Sequence, residues 1–362
     1  MTLTAKEAIL LVGGQGTRLR PLTINTPKPM LPVAGVPFTV HQILRARDAG
    51  IERIVLGTSY RAEVFRDFIA GADLGIDVVI ATEPEPLGTG GAIRFAAEHL
   101  SSAAHEPVVI FNGDVLTGVN IAGLVDAHVA GGAAVSLYLT RVEDPRAYGL
   151  VPTNGDGRVT AFLEKPSTPE EIVTDQINAG CYVFTRSVID AIPADRVVSV
   201  ERETFPELLA SDALVLGVVD DGYWLDLGTP LSFVAGSRDL VLGAAPSPAV
   251  EATGQALIAL DAFVSADASV IGGTSVGSLA SIEDGAIVNG SVVFAGASIG
   301  ERSVVTNSII GERAVIGEDV HLDGVVVGDG AVIDAHNELT PGARVWPGAH
   351  LEATSVRFSS DR

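Results

Sequence analysis

Several charged residues of this sequence stand where they could act on phosphate groups. Arg18 and Arg20 follow the glycine-rich segment 13–16, and Lys28 stands between two prolines. Glycines allow backbone N–H groups to converge on an anion, and the side-chain cations can neutralise it. The segment matches neither a Walker A loop nor the GxGxxG pattern. A tight turn with solvated arginines is the alternative, and the lysine fixed between prolines favours phosphate binding.

Lysine is scarce in this chain, so each lysine is informative. Lys6, Lys28 and Lys165 are the three lysines among 362 residues, which include 45 acidic side chains and carry a net charge of −22. This acidic balance argues against a nucleic-acid partner and against an anionic membrane. Lys165 stands between Glu164 and Pro166. An exposed ion pair with the glutamate is the alternative to phosphate binding, and the adjacent proline counts against it.

Two aspartates that are distant in sequence could bind a divalent cation. Asp114 follows the apolar segment 107–112, and Asp226 comes shortly after Trp224. Mg²⁺ prefers hard oxygen ligands and usually takes one or two carboxylates together with phosphates and water. Either aspartate alone is more typical of a turn or a helix cap. The seven histidines show no metal-ligand spacing, and Cys181, the only cysteine, is expected to pack in the core.

Alternating strand-like and helix-like segments make up the first 240 residues. Short apolar strands separated by helices predict an α/β domain with a mostly parallel sheet that is covered on both faces. Ligands bind such sheets beyond the carboxyl ends of the strands, where the loops at Gly13 and Gly113 would lie. The predicted strands are Ala8–Val12, Arg53–Gly57, Asp77–Ala81 and Pro107–Asn112, and the predicted helices are Phe38–Ala49, Glu63–Ile69 and Gly90–Leu100.

Around residue 244 the composition changes to that of a linker, and a new period begins beyond it. Aliphatic residues then recur mostly every six positions, which predicts a parallel β-helix because each would stack inside one face of a coil. The predicted inward residues are Ile287, Val293, Ile299, Val305, Ile310, Ile316, Leu322, Val327, Ile333, Leu339, Val345 and Leu351. The predicted domains are a catalytic domain at 1–243, a linker at 244–256 and the repeat domain at 257–362.

Segments spread over about two thirds of the chain resemble the sugar-1-phosphate nucleotidyltransferase family. The segment LLVGGQGTRLRPLTINTPKPMLP, residues 10–32, resembles the family signature. In family order, the resemblance continues through residues 83–91, 112–114, 164–166, 178–180 and 224–228. Within the family, the segments LVGG, PLGTGG, Ser199-Val200-Glu201 with Phe205-Pro206, and RVWPG at 344–348 are similar to the mannose-1-phosphate guanylyltransferase branch.

The resemblance implies a fold and an activity. The fold is a Rossmann-like nucleotidyltransferase domain with a mostly parallel mixed sheet, followed by a left-handed parallel β-helix of hexapeptide repeats. The activity is transfer of a nucleotidyl group from GTP to mannose 1-phosphate, giving GDP-mannose and pyrophosphate. Thymidylyl, uridylyl or adenylyl transfer to glucose 1-phosphate is an alternative, because those reactions share the same core residues.

The resemblance also implies roles for individual residues. The catalytic residues are Arg18, Lys28, Asp114 and Asp226, of which the two aspartates bind Mg²⁺. The nucleotide-binding residues are Val12, Gly13, Gly14, Gly16, Thr17, Arg18, Glu83, Pro86, Gly88, Thr89 and Asn112. The residues that bind the sugar phosphate are Gly149, Glu164, Lys165 and Asn178. We expect Glu83 to recognise guanine, because a carboxylate can accept hydrogen bonds from its N1–H and its N2 amino group.

Two further classes of function stay open from the sequence. The β-helix could be an acyltransferase with His321 or His336 as its base, although a structural and oligomer-building role is favoured. A regulatory paralogue that binds nucleotide sugars without catalysis would be expected to lose a metal-binding aspartate, and both are present. Gly90 stands where many relatives have alanine. A cytoplasmic location is expected, because the N-terminus lacks the features of a signal peptide and no apolar run reaches the length of a membrane span. A homo-oligomer is expected, because the open ends of a β-helix need a cap or a partner.

Overall fold

The structure is a computed structural model that describes residues 4–166 and 168–357. Residues 1–3 and 167 of the predicted catalytic domain, and residues 358–362 of the predicted repeat domain, lie outside this range. The chain forms two compact units: Met1–Gly14 with Gln42–Trp224, and Gln15–His41 with Leu225–Arg362. The second unit therefore contains the β-helix together with most of the glycine-rich signature segment.

The first unit is built on a sheet of nine strands. The strands are β1 (Glu7–Leu11), β2 (Arg53–Thr58), β3 (Asp77–Thr82), β4 (Pro107–Asn112), β5 (Val135–Arg141), β6 (Gly149–Leu150), β7 (Leu163–Glu164), β8 (Gln176–Thr185) and β9 (Val215–Val219). The α-helices of the described residues are α1 (Phe38–Asp48), α2 (Ala62–Gly71), α3 (Gly88–Ala96), α4 (Ile121–Gly131), α5 (Arg186–Ala191), α6 (Phe205–Ala210) and α7 (Pro230–Leu242). Short additional strands lie at Pro32–Val33, Val36–Pro37, Val115–Thr117 and Trp224–Asp226.

The large sheet is parallel on one side and antiparallel around its longest strand. Its main path runs β7-β6-β8-β4-β1-β2-β3, and β5 pairs with both β8 and β9. Strand β1 is parallel to β2 and to β4, whereas β8 is antiparallel to β4 and to β5. Strand β4 and the middle of β2 are buried runs of Val, Ile, Leu and Phe, as expected for parallel strands covered on both faces. The predicted mixed, mostly parallel sheet is confirmed.

The predicted elements of the first unit exist with shifted ends. Strands β1 to β4 and helices α1 and α2 match their predictions to within a few residues. Helix α3 begins at Gly88, two residues earlier than predicted, and a 3₁₀ turn at Ala97–His99 replaces the predicted last turn. The early start follows from Gly88, whose φ of 73° lets the chain turn sharply into the helix.

The β-helix of the second unit consists of three parallel sheets with six, six and five strands, consistent with the expected left-handed form. The first contains Ala256–Ile258, Thr274–Val276, Val292–Val293, Ile309–Ile310, Val326–Val327 and Arg344–Val345. The second contains Phe263–Val264, Ser281–Ile282, Ser298–Ile299, Val315–Ile316, Val332–Ile333 and His350–Leu351. The third contains Ser269–Ile271, Ile287–Asn289, Val304–Thr306, His321–Asp323 and Glu338–Leu339.

The predicted inward residues of the β-helix are confirmed with one exception. Ten of them, from Val293 to Val345, are buried, and Leu351 in the last coil is half-buried. The prediction for Ile287 is wrong: its side chain is 41% exposed, and Val288 is fully buried in its place. Neighbouring side chains of a strand point to opposite faces, so a shift of one residue exchanges the core side for the solvent side.

Residues 15–41 are attached to the rest of the second unit through helix α7. The hydroxyl of Ser237 in this helix accepts a hydrogen bond from Ala34 N at 3.0 Å and lies 3.2 Å from the hydroxyl of Ser275 in the β-helix. The ring centroids of Phe233 and Phe294 are 6.5 Å apart. These contacts make the early segment part of the same packed body as the coils. Within residues 4–166 and 168–357, no helix combines the length and apolar character needed to cross a membrane.

Candidate active site

A tight turn after β4 places Asp114 beside the start of the glycine-rich loop. Gly113 N donates a hydrogen bond to Leu11 O at 2.8 Å, and a Cβ atom at Gly113 would lie 2.3 Å from that oxygen. Only glycine fits so close to the end of β1. This contact places the half-buried Asp114, which follows Gly113, next to the end of β1, where the chain leaves the sheet at Val12.

Gln42 holds the same turn from its other side. The Gln42 side-chain amide donates to Asn112 O at 2.8 Å and to Val115 O at 3.3 Å, the two carbonyls that flank the Gly113-Asp114 turn. Gln42 is 8% exposed, so this bridge is shielded from water. The sequence did not single out Gln42, because a glutamine in an amphipathic helix has no distinguishing pattern.

The loop continues with one exposed and one enclosed glycine. A Cβ atom at Gly14 would have no described atom within 4 Å apart from those of its chain neighbours. A Cβ at Gly16, in contrast, would lie 2.8 Å from Lys28 Cβ and 3.0 Å from Thr23 Cγ2. Gly16 also has a φ of 59°, in the left-handed region. The hydroxyl of Thr23 donates to Gly16 O at 2.9 Å, and Gly16 thus packs directly against the stem of Lys28.

Two predicted catalytic cations flank the predicted catalytic Asp226. Lys28 Nζ lies 3.8 Å from Asp226 Oδ1, and Arg18 Nη2 lies 3.8 Å from Asp226 Oδ2. The Lys28 side chain is 9% exposed and the Arg18 side chain 62%. A Cβ at Gly228 would lie 2.3 Å from Arg18 Nη2, so this glycine leaves room for the guanidinium. Both distances are longer than an N–H···O hydrogen bond, so each cation neutralises the carboxylate charge from beyond hydrogen-bond distance.

The predicted nucleotide-binding turn Pro86–Gly91 packs on the backbone of residues 196–198. Gly90 N donates to Val198 O at 2.8 Å, and Val198 N donates to Leu87 O at 2.9 Å. A Cβ at Gly88 would lie 2.6 Å from Val198 O, and one at Gly90 would lie 2.8 Å from Val198 Cγ1. The contact explains why glycine stands at position 90: the neighbouring valine occupies the space that an alanine methyl would need.

The hydroxyl of Thr89 is engaged by a carboxylate that the sequence had not marked as functional. Thr89 Oγ1 donates to Glu201 Oε2 at 2.8 Å and accepts from Val200 N at 3.0 Å. The hydroxyl of Ser199 donates to the same Glu201 oxygen at 2.7 Å. Glu201 lies in a single π-helical turn, Val200–Thr204, a form that is frequent at functional sites. The Thr89 hydroxyl is therefore already engaged in hydrogen bonds within the protein.

Glu83 is buried at the beginning of this segment. It is 5% exposed, and its Oε2 accepts a hydrogen bond from Leu87 N at 2.9 Å. Burial raises the pKa of Glu83, and the hydrogen bond from Leu87 lowers it by less. The hydrogen bond from Leu87 N thus holds the Glu83 carboxylate in one orientation.

The predicted sugar-phosphate residues Gly149, Glu164 and Lys165 lie together. Gly149 in β6 is opposite Glu164 in β7, and a Cβ at Gly149 would lie 2.8 Å from Glu164 Oε2. Lys165 Nζ is 3.5 Å from Glu164 Oε1, so the ion pair considered as an alternative is present, but the lysine remains 63% exposed. Lys165 has a φ of 50°. A left-handed lysine is strained, and such strain is concentrated at functional sites.

A buried tyrosine joins the predicted nucleotide and sugar sides of the first unit. Asn178 Nδ2 donates to the hydroxyl of Tyr182 at 2.8 Å, and Asn112 Nδ2 donates to it at 3.4 Å. Burial raises the pKa of Tyr182 well above its usual range, so this hydroxyl stays neutral. Trp224 Nε1 donates to Ala179 O at 3.0 Å next to this pair. The structure thus brings Asn112 and Asn178 together through a residue that the sequence motifs did not indicate.

Cys181 packs in the core, as the sequence predicts. It is 1% exposed, and burial raises the pKa of its thiol above the usual range. A neutral, enclosed thiol has no nucleophilic role. Among the described residues, no group of three or more His, Cys, Asp or Glu side chains has the arrangement of a metal site.

The comparisons with known proteins are consistent with this site. A model of the Nucleotidyl transferase family matches residues 7–241, and a model of the GMPPB C-terminal domain matches residues 252–356. The chain belongs to the nucleotidyl transferase family, and it is accordingly an enzyme of the nucleotidyltransferase class. Membership implies dependence on a metal ion.

Two curated relatives and two solved structures are similar to this chain. A mannose-1-phosphate guanylyltransferase of Mycobacterium tuberculosis is 53% identical over 358 residues, which cover 98% of each chain. The catalytic subunit beta of a Drosophila melanogaster mannose-1-phosphate guanylyltransferase is 38% identical over 64% of this chain and 61% of its own. Among solved structures, HddC from Yersinia pseudotuberculosis is similar, with 26% identity and a TM-score of 0.56 over 65% of this chain and 99% of its own. A second HddC structure, in complex with GMP-PN, has 26% identity and a TM-score of 0.55 over the same shares.

Proposed function

We propose that this protein transfers a guanylyl group from GTP to mannose 1-phosphate, giving GDP-mannose and pyrophosphate. The observation that carries the chemistry is the approach of Lys28 and Arg18 to the two oxygens of Asp226. The choice of GTP and mannose 1-phosphate is supported by the relative that is 53% identical over almost the whole chain.

The reaction is a displacement at phosphorus. An oxygen of the sugar phosphate attacks the α-phosphorus of the triphosphate, a new P–O bond forms, and the bond to the β-phosphate oxygen breaks. The electron pair of that bond leaves with pyrophosphate. Charge neutralisation and in-line positioning supply most of the catalysis for such a step, because little proton transfer is needed.

The cations of the chain would divide this task between the two reactants. Lys28 and Arg18 stabilise the triphosphate and the charge that develops on the departing pyrophosphate. Lys165 binds the incoming sugar phosphate, and its exposed position suits an anion that arrives from solvent. The Glu164 carboxylate accepts hydrogen bonds from sugar hydroxyls, and the Asn178 side chain also binds sugar hydroxyls. Gly149 leaves space for the sugar ring.

The donor chemistry of the site fits Mg²⁺. Asp114 and Asp226 supply hard carboxylate oxygens, and the cations beside Asp226 stand beyond hydrogen-bond distance from it. We propose that these two aspartates bind the ion with the triphosphate and water as further ligands. When bound, Mg²⁺ would neutralise phosphate charge and favour pyrophosphate as a leaving group.

The other predicted nucleotide contacts are proposed as backbone contacts. Gly14 has open space beside it for phosphate oxygens, and Gly13 and Gly16 would contribute backbone N–H groups of the loop. The remaining members of this set are Val12, Thr17, Pro86, Gly88, Thr89 and Asn112.

A division of the chain into domains at 1–243, 244–256 and 257–362 is supported by the two family matches. A cytoplasmic homo-oligomer stays a prediction.

Pyrophosphate release by the purified protein with Mg²⁺ tests the proposed reaction. GTP, ATP, UTP and dTTP are each combined with mannose 1-phosphate and with glucose 1-phosphate, and Asp114→Asn serves as the inactive control. We expect the GTP and mannose 1-phosphate pair to dominate. Dominance of another pair would replace the substrates but keep the mechanism, and no activity with any pair would favour a regulatory paralogue.

Base recognition by Glu83 has its own test. Both oxygens of a carboxylate can accept from the guanine edge, whereas a glutamine amide offers one acceptor and one donor. We expect Glu83→Gln to lose the preference for GTP over ATP in the same assay. Glu85→Gln, a change in the exposed part of the same segment, is the matched control. Unchanged selectivity in Glu83→Gln would assign the glutamate a purely structural role as the acceptor for Leu87 N.

A further inference from the structure

Arg344 is a residue of the β-helix whose side chain reaches residues 13–20, the glycine-rich segment with the two arginines that follow it, which we call the signature loop. It opens the strand Arg344–Val345, and its Nη1 donates to Arg18 O at 2.9 Å and also to Arg20 O. These partners stand 326 and 324 positions earlier in the chain. The contact therefore connects the last coils of the repeat domain to the loop that carries a predicted catalytic arginine.

The two carbonyls take no part in the hydrogen bonds that close the loop. The short 3₁₀ turn Thr17–Leu19 is closed by Leu19 N donating to Gly16 O and by Arg20 N donating to Thr17 O. The oxygens of Arg18 and Arg20 accept instead from a single guanidinium nitrogen of Arg344. A charged donor strengthens such bonds compared with a neutral one.

Anchoring these carbonyls sets the position of the backbone from which the Arg18 side chain extends. The guanidinium of Arg18 lies over Gly228 and 3.8 Å from Asp226 Oδ2, although its side chain is 62% exposed. An exposed arginine keeps much of its rotamer freedom, so the position of its backbone limits the region that the guanidinium can reach. In phosphoryl chemistry a misplacement of about 1 Å can cost about 10²-fold in rate.

The position of Arg344 argues against a role in the β-helix core. Its side chain is exposed and borders a cavity of about 510 Å³, which is also lined by the first turn of α7 at Thr229, Pro230 and Leu231. Its strand neighbour Val345 points inward and is 7% exposed. Removing the guanidinium would therefore leave the packed interior of the coils intact.

We propose that Arg344 is a positioning residue for nucleotidyl transfer. It holds the backbone of Arg18 and Arg20 so that the Arg18 guanidinium stays beside Asp226. The β-helix then contributes directly to the geometry of the active site, beyond any role in assembly. The kinetic part of this inference rests on the proposed guanylyl transfer.

The test compares Arg344→Met and Arg344→Lys with Arg313→Met in the full-length protein. Arg313 is another exposed arginine of the β-helix, paired with its neighbour Glu312. We expect kcat/KM for GTP to fall about 10-fold to 100-fold in Arg344→Met, with thermal unfolding close to that of the control. Lysine carries three donors on a flexible stem, so Arg344→Lys should recover a large part of the loss.

Limited trypsin digestion provides a readout that needs no substrate. Trypsin cleaves after Arg18, and the loop must open locally to be cut. We expect the fragment that ends at Arg18 to form about tenfold faster in Arg344→Met than in Arg313→Met. In Arg344→Lys the fragment should form more slowly than in Arg344→Met. This arm distinguishes a failure of the positioning role from a failure of the proposed reaction.

Two results would overturn the proposal. Equal cleavage after Arg18 and equal kinetics in Arg344→Met and Arg313→Met would show that the contact does not constrain the loop. A large drop in the unfolding temperature of Arg344→Met, with lysine giving no kinetic recovery, would assign Arg344 to folding of the coils.

Discussion

The two glycine-rich segments of this protein are held in place by different physical means. The signature loop is anchored by side chains from elsewhere: Thr23 and Arg344 bond to its carbonyls, and Lys28 packs against Gly16. The turn Pro86–Gly91 is anchored by close backbone packing on residues 196–198, which glycine alone allows. A loop held by side chains can be loosened one contact at a time, whereas a turn held by close packing loses stability when a methyl group is added at one of its enclosed glycines.

The largest effect should come from the buried cation that packs against the signature loop. Lys28 is 7% exposed and lies 3.8 Å from Asp226 Oδ1. We expect Lys28→Met to lower kcat/KM for pyrophosphate release about 10²-fold to 10³-fold, as when one preorganised donor is removed from a transition state. Lys6→Met is the control, because Lys6 is exposed and paired with Glu52. Near-normal activity in Lys28→Met would show that the ammonium group of Lys28 does not contribute to catalysis.

Gly14 and Gly16 of the signature loop should respond differently to the same added methyl group. Gly16 is left-handed and tightly enclosed, so Gly16→Ala should destabilise folding by about 3 kcal/mol. Gly14 has open space around it, so Gly14→Ala should keep its stability and lose affinity for GTP. Chemical denaturation and equilibrium binding of GTP separate the two outcomes. Equal stability loss in both variants would contradict the distinction between the enclosed and the open glycine.

Close packing of the second segment predicts coupling between Gly90 and Val198. A Cβ at position 90 would lie 2.8 Å from Val198 Cγ1, so Gly90→Ala should cost about 2 kcal/mol of stability. In a Val198→Ala background the methyl group gains room, and we expect the cost to shrink by about 1 kcal/mol. The free energies of unfolding of the two single variants and the double variant give this coupling. Additive effects would place the strain elsewhere in the turn.

The sequence predicted the β-helix almost residue by residue because its information is periodic. Each coil repeats the same inward position, so an error such as Ile287 for Val288 concerns a single step of the repeat. The α/β elements were also predictable, because buried parallel strands appear as apolar runs between helices. What failed there were the ends: helix α3 begins early because Gly88 lies against Val198, a contact that no local pattern contains.

The site was predicted in its motifs but not in its connections. Asp114, Asp226, Lys28 and Arg18 stand in recognisable segments, so their types and neighbours marked them. Gln42, Glu201 and Arg344 were missed as functional residues because each acts on a backbone or hydroxyl group far along the chain. Glu201 and Arg344 do lie in segments that resemble the guanylyltransferase branch, but these segments do not show which group each side chain binds. That depends on the three-dimensional path of the chain.

The smallest predicted effect concerns Thr89, a side chain of the second segment that bonds to the π-helical turn Val200–Thr204. Thr89 Oγ1 donates to Glu201 and accepts from Val200 N, so its hydroxyl is already engaged. Thr89→Val keeps the shape and removes both bonds, and we expect a loss of about 1 kcal/mol in stability. The KM for GTP should hardly change, because a nucleotide would contact the backbone here. A large rise in KM with unchanged stability would show instead that the hydroxyl leaves Glu201 to bind the nucleotide, and that side chains also govern this segment.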